Sequence, residues 1–223
     1  MNTSELVRRS LLLVFLGVAV TFTASCLRKP GEHPSQLTYK LPTKITVAVG
    51  DELPGTGIRF DGLSENGADL LIRGQRAIKR KGDSVDWSGN PLDGVFVDLK
   101  LRVVWYTEEE LHLVGTAKVV IDEVSPQPAA ISTTSPISYG GAVAYGLSKG
   151  AVIPGSTIVY EGRTDDGAKL SGIEGYPYRK EGDSISWQGT LRPDVYIRLN
   201  VRVAQFDDKG MRVLGLATLW IGS

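Results

Sequence analysis

Two short blocks carry the side chains best suited to chemistry, Gly82-Asp-Ser-Val-Asp-Trp-Ser-Gly89 and Gly182-Asp-Ser-Ile-Ser-Trp-Gln-Gly189. A serine becomes a nucleophile when a histidine base lies within hydrogen-bond reach and an acid orients that base. The chain has only His33 and His112, so the second block has no histidine in its own half. Both blocks therefore read as tight turns. Glycine supplies an unusual backbone angle, Asp83 and Asp183 with the following serines bond nearby amides, and Trp87 and Trp187 enter the core. His112 falls on an outward strand position beside Glu110, aligned with Arg212, and without a second base or nucleophile it reads as a solvent-facing residue. His33 reads as a linker residue. The acid runs Asp165-Asp166, Asp207-Asp208 and Glu108 to Glu110 lack the alternating oxygens of a tight calcium loop, and two histidines with one cysteine do not make a zinc site. No metal and no cofactor are expected, and a hydrolase is the weakest functional reading.

The similarity of the two blocks belongs to a larger repeat. Residues 50–123 lie over 150–223 without a gap, with 20 identities in 74 positions, among them Gly50/Gly150, Pro54/Pro154, Gly62/Gly162, Asp83/Asp183, Trp87/Trp187, Arg102/Arg202, Gly115/Gly215 and Ile121/Ile221. Composition alone would give about 4 to 5. The chain reads as a tandem duplication, and what both copies keep is more simply explained by fold than by a site needed once. The tripeptide Gly-Asp-Ser is similar to the nucleophile block of GDSL-type esterases, but neither copy has a Gly-x-Ser-x-Gly elbow.

Within each copy the apolar spacing is two. Val95, Val97, Leu99, Leu101 and Val103 alternate with Asp98, Lys100 and Arg102, and Val195 to Val203 repeat the pattern. Leu111 to Ile121 and Met211 to Ile221 alternate likewise, after hairpin turns at Thr107 to Glu110 and Asp207 to Gly210. Shorter strands are expected at 45–49, 57–61, 68–73 and 83–87, with a matching set in the second half. The fold class is all-β: two tandem antiparallel β-sandwich or small-barrel units of six strands each, behind an N-terminal signal or anchor helix. Gly115, Ala117, Gly215 and Ala217 leave room on the inward face, which Trp87 and Trp187 are expected to fill. The opposite face of the last strand carries Val114 and Val120 in one copy and Leu214, Leu216 and Trp220 in the other. That is too apolar for a free surface, so it should bury the contact between the units or a partner.

The elements that position these units begin with an export signal. Arg8 and Arg9 precede the apolar run Leu11 to Val20, and then come Thr21-Phe-Thr-Ala-Ser25 and Cys26, the only cysteine. The run is short for a bilayer span, so a cleaved signal fits better than an uncleaved anchor. Small residues directly before a cysteine resemble the lipobox of bacterial lipoproteins, with Thr23 in place of the usual aliphatic residue. The resemblance covers only the first 26 residues. It implies that Cys26 is diacylated, becomes the new N-terminus and anchors the body to a membrane. The division expected is signal peptide 1–25, tether 26–44, first unit 45–123, linker 124–141 and second unit 142–223, the tether and linker being assigned from their Pro, Ser and Thr content.

Lys and Arg number 25 against 25 Asp and Glu, with a pI near 6.7, which argues against a nucleic-acid partner. The copies diverge at one place. Arg73, Arg76, Lys79, Arg80 and Lys81 crowd the first, where the second has Gly175-Tyr-Pro-Tyr-Arg-Lys180. The basic run could meet anionic head groups or cell-wall phosphates, and Tyr176 and Tyr178 could stack on a sugar ring or hold a protein. The plainer readings are solvated surface and packing at a sheet edge. The expected function is an exported, lipid-anchored, non-enzymatic envelope protein that binds another envelope protein as an accessory or assembly subunit. A carbohydrate or cell-wall binding module is the alternative.

Overall fold

A computed structural model describes residues 34–131 and 135–222, and these contain strands, turns and no helix. The expected signal or anchor helix and Cys26 fall outside the described residues.

In the first unit a long sheet is formed by β1 (Gln36–Ala48), β6 (Ser84–Leu92), β7 (Val95–Tyr106) and β8 (Glu110–Asp122), in the order β1-β8-β7-β6. A smaller sheet in the order β2-β3-β4-β5 is built from β2 (Glu52–Leu53), β3 (Ile58–Ser64), β4 (Gly67–Ile72) and β5 (Gln75–Lys79). The second unit has the long sheet β10-β16-β15-β14-β9, from β9 (Gln127–Pro128), β10 (Ile137–Ser148), β14 (Ser184–Arg192), β15 (Val195–Phe206) and β16 (Gly210–Ile221). Its small sheet joins β11 (Val159–Thr164), β12 (Gly167–Ser171) and β13 (Tyr178–Arg179). All pairings are antiparallel.

Strand bounds and irregularities recur at an offset of 100. The register slips at Phe60/Gly62 and Tyr160/Gly162, and again at Val103/Trp105 and Val203/Gln205. Gly62 and Gly162 take φ of 114° and 121°, which lets each bulge bend its short strand over the long sheet without a Cβ clash.

Three expectations need correcting. Each unit has eight strands rather than six, since the small sheets are cut finer and the connector itself supplies β9. The tether does not run to Lys44, because residues 36–44 belong to β1, and the linker does not run to Gly141, because β10 starts at Ile137. Proline hid β1, and the Pro, Ser and Thr of the preceding connector hid the start of β10. In β1, Leu37, Tyr39 and Leu41 are buried while Thr38, Lys40 and Pro42 are exposed, an alternation of two. Pro42 is tolerated because β1 is an edge strand and residue 42 turns its nitrogen away from β8: the neighbouring odd position Val49 donates to Glu109, which sets odd residues as the bonded ones.

The units keep separate sheets but share one apolar core. They meet where β1 crosses β10. Gly141 lies so close to Leu41 and Pro42 that a Cβ there would stand 2.9 Å from Pro42 Cδ and 3.4 Å from Leu41 Cα. Each first strand also reaches into the other unit. Tyr39 brings its hydroxyl against Gly155 beside Ile197 and Leu191, and Ile137 packs on Gly55 and Pro91. Arg192 crosses from the second unit to donate to the Asp122 carbonyl at 3.0 Å.

The seam is rich in buried phenols, which makes the fold sensitive to alkali. Burial pushes Tyr139 and Tyr145 up to about 12. Tyr39 is raised well above its ordinary value by burial and then by the neighbouring Tyr145. An unfolded chain ionises its tyrosines near ~10, so the fold favours the neutral phenols; their contribution is complete below that pH and is lost as pH rises toward the folded values. Alkaline titration is expected to show the exposed members of the eight tyrosines ionising first. A later, steep step in phenolate absorbance should coincide with loss of the β circular-dichroism signal. Smooth ionisation of all phenols with the fold intact would contradict the buried seam.

Candidate binding surfaces

The Gly-Asp-Ser blocks are turns leading into β6 and β14. The Asp83 carboxylate accepts the Arg80 N–H at 2.8 Å and Asp183 accepts the Lys180 N–H at 2.7 Å, while Gly82 and Gly182 take φ near 88° and 87°. Arg102 and Arg202 donate to the Gly82 and Gly182 carbonyls, which ties each turn to the adjacent long strand. These side chains are used up by backbone groups. His112 is held on both nitrogens, by Thr46 Oγ1 at 3.1 Å and by Glu110 at 3.3 Å, bridging β1 and β8. Among the described residues no three acidic, histidine or cysteine side chains gather as a metal site.

Trp87 and Trp187 do not lie over Gly115 and Gly215 as expected. Each ring covers the glycine two residues along its own strand: a Cβ on Gly89 would meet Trp87 at 2.7 Å, and one on Gly189 would meet Trp187 at 2.6 Å. Residues two apart on a strand share a face, so the ring folds back along it. Gly115 and Gly215 serve another purpose, because the backbone of the neighbouring strand leans directly over them. Trp187 is buried and donates from Nε1 to Thr157 Oγ1 at 3.0 Å, whereas Trp87 is only half-buried.

Beside Trp187 the second unit opens a cleft of about 640 Å³ between β14 and the small sheet, bordered by Glu174, Ser186, Gln188 and Asn200. Arg179 and Ser184 join it to a shallower hollow holding Tyr176 and Tyr178. The two tyrosine rings are 5.3 Å apart and tilted by 58°, so they form a corner rather than a flat platform. Arg179 donates to the carbonyls of Tyr176, Tyr178 and Ser184, which fixes the Tyr-Pro-Tyr loop against β14.

The basic run of the first unit is dispersed. Arg76 pairs with Asp69 at 2.6 Å, Arg80 reaches the Asn66 carbonyl, and Lys81 sits 3.4 Å above the Trp105 ring. Lys79 lies half-buried on β5. The two arginine contacts stay within the small sheet and Lys81 alone reaches β7, so the run spends its charges locally instead of presenting one cationic face.

On the outward face of the last strands the five residues separate. Trp220 is buried, with Arg198 5.3 Å above its ring, and Val120 is half-buried. Val114, Leu214 and Leu216 are exposed, the two leucines at 53% and 58%. This face therefore does not bury the contact between the units, which is made by the inward side chains of β1 and β10. The leucines stand in the open beside Ala142 and Ala144 of β10, their register partners. Sequence reasoning missed β10 as part of this surface because only its first five residues, 137–141, fall in the expected linker and the small, weakly alternating residues 142–148 gave no strand signal.

No family model, no curated protein and no solved structure matches this chain.

Proposed function

We propose that this chain is an exported, lipid-anchored, non-enzymatic envelope protein, built of two duplicated β units, that acts as an accessory or assembly subunit by holding another envelope protein against the outward face of its second long sheet. The observation that carries the reading is the exposure of Leu214 and Leu216 on a sheet face, each a little over half open, where covering the open part is worth roughly 1 kcal/mol per side chain. The order of basic residues, apolar run, small residues and Cys26 supports a membrane anchor and a body lying outward of the cytoplasmic membrane. The occupied hydrogen-bonding groups of His112, Asp83 and Asp183 support a binding role over hydrolysis.

The test is cross-linking of the full-length protein in its native membranes, followed by mass spectrometry of co-purifying proteins and of Cys26. A stoichiometric partner cross-linked to β16 and a lipid mass on Cys26 are expected. The double change Leu214→Ser and Leu216→Ser is expected to reduce recovery of that partner at least about tenfold while leaving the melting temperature unchanged, since exposed side chains contribute little to the fold. Recovery equal to the wild type would remove the face from the reading. The polar cleft beside Trp187, lined by Glu174, Gln188 and Asn200, favours a glycan as a second reading. The same preparation read on a glycan array distinguishes the two.

A further inference from the structure

The free edge of β10 differs from its counterpart in a way that specifies what can bind there. In an antiparallel pair alternate residues turn their N–H and C=O toward the partner strand, and the others turn them away. Lys149 donates to Lys209 in the register that continues β10 against β16, so the odd residues of β10 are bonded to β16 and the even ones face outward. Between Ser138 and Ser148 at the two ends, these are Gly140, Ala142, Ala144 and Gly146, all exposed, and among the described residues no backbone group pairs with their edge. The same edge of β1 carries Lys40, Pro42, Lys44 and Thr46 at the corresponding places. Pro42 removes the central outward N–H, and the two lysines flank it, which are the usual devices against strand addition. β10 has none of them, and no charged residue anywhere along it.

We infer that the β10 edge is a strand-addition site, taking an extended segment of the partner protein with bulky apolar side chains at alternate positions. This rests on the proposed protein-binding function and names the edge that performs it. The unpaired backbone selects an extended chain, because only a β backbone matches a row of donors and acceptors spaced at two residues. Leu214 and Leu216 select its side chains. They rise on β16 next to Ala142 and Ala144, so a strand beside β10 whose outward residues are large would reach across the low alanine row and cover both leucines. The dimensions of the row also set the length of the segment: four outward residues at alternate positions accommodate about eight residues of strand.

The probe is a synthetic peptide alternating Ile or Val with Lys or Glu, compared with a peptide of the same composition interrupted by proline. It is added to the full-length lipidated protein in detergent, and amide hydrogen exchange is followed by mass spectrometry. The alternating peptide is expected to slow exchange at Gly140, Ala142, Ala144 and Gly146 by at least about tenfold, without affecting the β1 edge. Ala142→Pro, which installs the residue β1 already tolerates, should abolish that protection with an unchanged melting temperature. The pair Gly140→Lys and Ala144→Lys should do the same should the proline perturb the strand. Absence of protection, or equal protection by the interrupted peptide, would overturn the inference. Protection already present without peptide, together with a dimer by sedimentation, would assign the edge to a second copy and overturn it too. If Ala142→Pro still recovers the native cross-linked partner, the strand-addition site fails while the binding function stands; if no partner is recovered from the wild type, the function itself fails.

Discussion

Gly115→Ala is expected to cost at least about 3 kcal/mol and to lower the melting temperature by roughly 6–12 °C, the conversion appropriate to a body of this size. The added methyl would sit 1.9 Å from the Lys100 carbonyl oxygen and 2.9 Å from Leu101 Cα, both backbone atoms of β7. A flexible side chain could swing aside, but a ladder carbonyl cannot move without opening the β7–β8 pairing around it. The geometry is repeated in the other unit, where a methyl on Gly215 would meet the Asn200 carbonyl at 2.1 Å and Val201 Cα at 2.5 Å, so Gly215→Ala should match it in size. Backbone conformation is not the reason, since neither glycine has a positive φ. Urea unfolding of both variants checks the prediction, and a loss under about 1 kcal/mol at either site would contradict the close strand approach.

Gly141→Val carries the second large effect, about 2–4 kcal/mol, and acts between the units rather than within one. The added Cβ alone would stand 3.1 Å from Leu41 Cδ2 and 2.9 Å from the rigid Pro42 ring, and the two methyls it carries must push β1 and β10 apart. That separation would withdraw Tyr39 from its place against Gly155 and Ile137 from Gly55, so the penalty spreads through contacts the mutation never touches. Because one apolar core joins the units, the wild type is expected to unfold in a single urea transition. Gly141→Val should broaden or split it into two. A single transition of unchanged midpoint and slope would show that the crossing does not couple the units. Gly141→Ala is expected to cost less than Gly141→Val, about 1–2 kcal/mol, since Leu41 can turn away from one methyl while the Pro42 ring cannot.

The long strands were legible because each has one wet and one dry face. Val95 to Val103 and Leu113 to Ile121 alternate over many residues, and the turns between strands carry side chains that stabilise them: Thr107 accepts the Glu110 N–H, and Asp207 accepts those of Lys209 and Gly210. Those two amides hold the Asp207 carboxyl below its ordinary value, the local signature of a turn a short sequence can specify alone. Less of the binding surface was legible. The outward leucines could be picked out by spacing, but their exposure could not, because Trp220 on the same face is buried beside Arg198 while Leu216 is open.

By itself the sequence determined the all-β class, the offset of 100 at which its pattern recurs, the turn positions and the apolar faces of β7, β8, β15 and β16, since these depend on side-chain alternation and local turn chemistry. Only the tertiary structure decided that the proline-bearing segment around Pro42 is the first strand of its unit, because a proline is compatible with a strand when its nitrogen faces a free edge, and edges are defined by which strands become neighbours. It likewise decided that the tryptophans fold over Gly89 and Gly189, that Gly115 and Gly215 yield to backbone, and that β1 and β10 rather than the leucine face join the units. The strand approaches over Gly115 and Gly215 and the crossing of β1 and β10 join residues distant in the chain, and even the short-range fold of each tryptophan over its own strand is settled by which surfaces come to within a few ångströms of one another.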